Sequence, residues 1–181
     1  ARAQTNWVHL STADGDLPLP SGSTQQVLTL VLDVDGNGLN DFVIGSRRNP
    51  GPSLVWYRRD AAGWTRLVID SNSLPLEAGG AFHDIDGDGD QDLVAGANAQ
   101  SNEIWWWENP HPNHGAEWTR RYIKNSGAAK HHDMMFGDFD DDPAVEFVYW
   151  NQGAGTLNIV DIPADPRATE PWDNTAAIFK S

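Results

Sequence analysis

The chain contains no cysteine. That absence removes disulfides, thiolate metal centres and thiol redox chemistry, so stability has to come from apolar burial and bound ions. Basic residues are scarce too: 12 Lys and Arg face 26 Asp and Glu, for a formal net charge of −14. Nucleic acid and anionic membrane surfaces attract clustered cations, so neither is expected as a partner. No apolar run approaches the roughly 18 residues of a membrane span, and no segment combines a helical period of apolar residues with caps. The opening ARAQTNWVHL lacks both an initiator Met and an apolar signal core, and reads as a processed or trimmed end.

What the chain does have is a repeated acidic loop. DVDGNGLND runs from Asp33 to Asp41, DIDGDGDQD from Asp84 to Asp92 and DFDDDPAVE from Asp138 to Glu146, with starts 51 and 54 residues apart. Much of the negative charge lies there, and three bound divalent ions would bring the net charge to about −8. Short segments rich in Val, Ile, Trp, Tyr and Phe flank each loop, as in VLTLVL before and DFVIGS after the first, and Gly, Asn, Asp and Pro bound them in the manner of strands. A third strand follows in each copy, SLVWYRR from Ser53, NEIWWWEN from Asn102 and TLNIVDIP from Thr156. A fourth opens at Trp64, Trp118 and Trp172.

An all-β chain whose four-stranded antiparallel unit recurs every 50-odd residues has the arithmetic of a β-propeller. Residues 1–20 are predicted to supply an outer or closing strand opening at Trp7, and residues 21–72, 73–126 and 127–181 a blade each. Three full blades plus a closing N-terminal strand leave two sheet faces uncovered, so they are expected to belong to a larger, about seven-bladed ring of about 370 residues. The other blades would come from a longer parent chain, a second polypeptide or a symmetric partner. The nine tryptophans are expected to pack mainly between blades. Because successive strand residues face opposite ways, at least one of Trp105, Trp106 and Trp107 is expected at the surface, free to stack on a sugar ring.

The spacing D-x-D-x-D-G-x-x-D gathers carboxylates one, three, five and nine and the carbonyl at seven around one hard cation, which favours calcium. The first loop offers Asp33, Asp35, Asn37, Asp41 and the carbonyl of Leu39; the second offers Asp84, Asp86, Asp88, Asp92 and the carbonyl of Asp90. The third keeps Asp138, Asp140, Asp142 and Glu146 but has Asp141 and Pro143 where its siblings have glycine. Proline cannot take a positive φ, which leaves the third metal open. Loops of this type fill at extracellular calcium levels, so a secreted protein is expected. In these loops, and in the short GS or GA after the second strand, essentially the whole chain resembles the FG-GAP/VCBS repeat β-propellers. That resemblance implies structural calcium in the loops. It says little about function, because the family includes adhesion heads, lectins, lyases and stand-alone secreted modules.

Chemistry in a propeller is expected on the face where the connections into each first strand meet those between second and third strands. Alignment places Gln25, Gln26, Glu77, Lys130, His131, His132 and Asp133 in the first set. The second set holds Arg47, Arg48 and Asn49, then Asn98 and Gln100, then Trp150, Asn151 and Gln152. This mixture suits a polar, sugar-like ligand. The segment HHDMMFGDFD followed by VYWNQGAGTLNIVDIP is similar to the propellers of sugar-active enzymes, among them fungal aldos-2-ulose dehydratase and polysaccharide lyases. The chemistry this implies is elimination beside a carbonyl by a carbon–oxygen lyase. His131 or His132 would act as base or hold Zn2+ or a similar ion, and Arg47 and Arg48 would stabilise the enolate. Glu77 and Asn151 complete the candidate catalytic set, with Trp150, Gln152 and Asn98 binding substrate. A lectin-like binding or adhesion module is the alternative. It would repeat its binding residues in every blade, whereas Gln26, Glu77 and His131 differ at aligned positions, which favours an enzyme.

Overall fold

The computed structural model describes residues 7–48, 50–172 and 175–180. Among them there is no helix, and the strands are β1 Gln25–Leu32, β2 Asp41–Arg47, β3 Leu54–Asp60, β4 Gly63–Asp70, β5 Leu76–His83, β6 Asp92–Ala97, β7 Ile104–Glu108, β8 Thr119–Lys124, β9 His131–Gly137, β10 Glu146–Asn151, β11 Thr156–Asp161 and β12 Ala176–Lys180. They form three four-stranded antiparallel sheets, β1 to β4, β5 to β8 and β9 to β12, each ordered as in the chain. These are propeller blades. Strands β1, β5 and β9 lie against one another, which makes the first strand of each blade the inner one.

The middle blade is apolar on both faces because it is covered on both. Leu93, Ala95, Trp105 and Trp107 pack with Leu28, Val43, Trp56 and Ile69 of the first blade. Val94, Ile104 and Trp106 pack with Met134, Phe147, Tyr149 and Val160 of the third. The expectation of an exposed tryptophan in this run is therefore corrected: Trp105, Trp106 and Trp107 are 2%, 0% and 0% exposed. Alternation sends them to opposite faces as expected, but both faces are buried. Each such side chain removes well over 100 Å² from water, so each junction is held by a large apolar burial.

Trp118 and Trp172 lie just ahead of the fourth strands rather than inside them. Their backbone N–H groups donate to Ile69 O (3.2 Å) and Ile123 O (3.0 Å), the outer strand of the preceding blade. Each ties one blade to the one before it.

The closing strand expected over residues 1–20 is also corrected where it can be seen. Residues 1–6 fall outside the described residues, and residues 7–20 carry turns and no strand, with Trp7 91% exposed. Pro18 and Pro20 have no N–H for a ladder. Their carbonyls instead accept from Tyr57 Oη (2.5 Å) and Arg66 Nε (3.0 Å) on the outer face of the first blade. That face still exposes Val31 and Val68, and the far face of the third blade exposes Met135 and Phe179.

Candidate functional site

The acidic loops join the first strand of each blade to the second, and their ninth residue anchors them. Asp41, Asp92 and Glu146 are all buried. Asp41 accepts from the Val34 N–H (3.2 Å), the Arg59 N–H (2.6 Å) and Trp56 Nε1 (2.9 Å). Asp92 accepts from the N–H groups of Ile85 (3.1 Å) and Asn109 (2.8 Å), and Glu146 from that of Phe139 (2.8 Å). Burial pushes the Asp92 carboxyl up to about 8 and raises that of Asp41. Burial, reinforced by the neighbouring Asp88 and Asp86 charges, pushes Asp90 up to about 6.

Three groups, Asp33/Asp35/Asp41, Asp84/Asp86/Asp88 and Asp138/Asp140/Glu146, each bring candidate ligand oxygens within 4.8 Å of one another. In the second loop Asp84 Oδ1 and Asp90 Oδ1 are buried without a hydrogen-bond partner. Carboxylate oxygens crowded together and left unpaired are what a divalent cation would satisfy, so the residues fit such an ion. The third loop closes more like its siblings than the loss of glycine suggested. Asp141 takes φ 66°, beside 68° at Gly36 and 76° at Gly87. Aspartate visits the left-handed region at modest cost, so glycine is dispensable there. Pro143, opposite Gly38 and Gly89, keeps the other half of the loop distinct.

The inner rim brings several of the other predicted residues together. A cleft of about 340 Å³ is lined by Arg47, Arg48, Glu77, Asn98, Gln100 and Lys130, drawn from all three blades. Arg47 spans the first junction, donating to Gln25 Oε1 (2.9 Å) and Glu77 Oε1 (2.8 Å). Arg48 (φ 62°) and Lys130 (φ 70°) hold left-handed backbones, which for such residues cost roughly 1–2 kcal/mol each. Strained residues gathered at one opening are a mark of functional sites. The inner strands are also irregular at this rim. Register breaks fall at Gln26/Leu28 in β1 and Leu76/Gly80 in β5, and Asp133 (φ 54°) bulges from β9. Bulges re-aim side chains.

The bulge separates the two histidines by burial. His131 is 0% exposed and lies edge-on to Tyr149 at 5.8 Å. Its ring nitrogens make no well-formed hydrogen bond, and burial with the Lys124 charge lowers its pKa to about 4. His131 as a base or zinc ligand facing the rim is thus corrected, because neither nitrogen reaches solvent. His132 remains accessible: Nδ1 lies 2.5 Å from Asp133 Oδ2 and Nε2 lies 3.2 Å from Gln152 Oε1.

Trp150 sits on the other face of β10 from Tyr149, against Phe179 at 6.3 Å. Asn151 is buried and shapes a turn, donating to Ala128 O (3.3 Å) and accepting from the Ala154 N–H (3.0 Å). Neither lines the rim cleft. Asn49 falls outside the described residues.

One participant escaped the sequence patterns. Arg167, in the β11–β12 connection, reaches back to Asp86 and Asp88 (2.7 Å each) and to Glu108 (2.9 Å). A lone arginine in a Pro- and Asp-rich loop carries no signal of such a strap.

Antiparallel four-stranded blades with an acidic loop between their first two strands define a propeller-type module. Residues 84–148, from the second acidic loop into β10, match the FG-GAP-like repeat family. No curated protein matches the chain.

Proposed function

We propose that this chain is a calcium-stabilised propeller module of a secreted protein whose inner-rim cleft binds an acidic carbohydrate. The observation that carries the reading is the cleft that puts Arg48 and Lys130, both left-handed and free of ion pairs among the described residues, beside the Arg47–Glu77 pair. Two unneutralised cations favour a carboxylate-bearing ligand, and Asn98 and Gln100 supply hydroxyl partners. The all-oxygen donors of the loops support calcium as the ion. The exposed apolar side chains on the two end faces would be covered by further blades, supplied by a longer chain or a partner.

The test is titration of the calcium-loaded chain with an oligogalacturonate. Arg48→Ala combined with Lys130→Ala should weaken binding at least about tenfold, the loss of roughly 1.4 kcal/mol per decade. Unchanged affinity in that variant would sink the proposal.

A second reading, elimination beside a carbonyl, draws on the His132–Asp133 contact. Asp133 would hold the Nδ1–H, leaving on Nε2 the lone pair that takes the proton once substrate displaces the Gln152 amide. Arg47 or Arg48 would stabilise the enolate oxygen, and as the carbonyl re-forms, the new carbon–carbon double bond would expel the β-oxygen, which takes the proton back from the His132 imidazolium. An unsaturated uronide appearing with the wild-type chain and lost in His132→Ala would establish it; no such product from wild type would rule it out.

A further inference from the structure

The junction between the second and third blades is built differently from the one before it. Ala95 pairs with Trp105 across β6 and β7, and at the aligned positions Tyr149 pairs with Asn158 across β10 and β11. Trp105 belongs to an apolar core, whereas Asn158 is buried with its Nδ2 turned back to Thr156 O (3.2 Å) and Oγ1 (3.1 Å). The charge at the end of the outer strand is reversed as well. Asp70, which closes β4, is a buried carboxylate accepting from Trp107 Nε1 (2.9 Å) and Arg120 (2.6 Å). Its counterpart at the end of β8 is Lys124.

Lys124 Nζ donates to the carbonyls of Asn102 (2.9 Å), Ala128 (3.0 Å) and Ser126, and pairs with no carboxylate among the described residues. Burial lowers its pKa to about 8, as for an ammonium with no counter-ion. Beside it opens a cleft of about 350 Å³ lined by Lys124, Tyr149, Asn151, Asn158 and Trp172 among others. Trp172 is buried, and its indole N–H has no acceptor among the described residues. A cation with no counter-ion, a phenol and two amides thus line one opening of monosaccharide size.

We propose that this inter-blade cleft binds a small hydroxylated carboxylate of the uronic or aldonic acid class. The ligand carboxylate supplies the counter-charge for Lys124, while its hydroxyls meet Tyr149 and the Asn158 carbonyl oxygen. A cationic ligand is disfavoured by Lys124, and an apolar one would strand the polar lining. Neither Arg48 nor Lys130 lines this cleft, so the inference stands independently of the rim site.

The experiment is calorimetric titration of the calcium-loaded chain with sodium glucuronate, with glucose as the neutral comparator. Glucuronate should bind at least tenfold more tightly than glucose. Asn158→Trp, which installs the residue the second blade carries at the aligned position, should lower glucuronate affinity at least tenfold, as should Lys124→Gln. Arg58→Ala, which removes a cation of the first blade that does not line this cleft, should leave it unchanged. Should Asn158→Trp fail to fold by circular dichroism, Asn158→Leu takes its place. No binding by wild type, equal affinity for glucose, or full affinity in Lys124→Gln each overturns the proposal. Loss in Arg48→Ala alone places the ligand at the rim, which overturns this inference and supports the rim site.

Discussion

Asp70 is the sharpest place to test how the blades are joined. Its Oδ2 receives Trp107 Nε1 at 2.9 Å and the Arg120 guanidinium at 2.6 Å, while Oδ1 receives the N–H and Nδ2 of Asn72 at 2.9 and 2.8 Å. Asp70 ends the first blade, and Trp107 and Arg120 belong to the second, so this carboxylate makes two of the polar links across the junction. In Asp70→Ala the buried indole N–H loses its only acceptor among the described residues, at a cost of about 1–3 kcal/mol. The Arg120 side chain is 27% exposed and regains water, which limits its share to about 1 kcal/mol. A total of about 3 kcal/mol follows, or a fall in Tm of about 6–12 °C for a chain of this size. Urea unfolding in calcium, followed by tryptophan fluorescence, measures it. Asp70→Asn keeps an acceptor for Trp107 and should lose only about 1 kcal/mol. In a Trp107→Phe background the Asp70→Ala cost should shrink by about 1–2 kcal/mol. A loss below about 1 kcal/mol, or strict additivity with Trp107→Phe, would refute the carboxylate as a clamp.

Removing calcium with EDTA should destabilise the chain by about 2.7 kcal/mol for each occupied loop, relative to a concentration 100-fold above the dissociation constant; calorimetric melts that do not depend on calcium would count against loop occupancy. Gly79→Ala should cost about 2 kcal/mol or more, because φ is 87° and the new Cβ would stand 2.9 Å from the Asp133 amide nitrogen; an unchanged urea midpoint would mean that the inner strands part freely. His131 is held to a pKa of about 4 by burial and the Lys124 charge, below its unfolded value of about 6.5. The unfolded chain therefore binds the extra proton first, so this contribution is complete above the unfolded pKa and about 3 kcal/mol is lost as pH falls to about 4. His131→Leu should flatten that part of the stability profile, and an equally steep profile in the variant would contradict it.

The blades were legible in the sequence because their signals are local. The acidic loop, the strand on either side of it and the Trp at or just ahead of the start of the outer strand recur at nearly constant spacing, and each keeps its place whatever lies across the junction. The sites were only partly legible, because they depend on what alternation and bulges do to neighbouring side chains. His131 and His132 are adjacent and chemically identical, yet a bulge at Asp133 leaves one fully buried and the other beside Asp133 and Gln152. A cue was present: Asp133 aligns with Gly79, and both take positive φ. The inter-blade cleft was hidden for a different reason. Asn158 and Lys124 look ordinary in their own strands, and become informative only against Trp105 and Asp70 at the positions they replace. In a repeat protein the structural role of a position is set by the other copies, so function is best sought where one copy departs from them in both polarity and charge. By that criterion the junction between the second and third blades stands out, because there an apolar core position has turned polar and a buried acid has become a base.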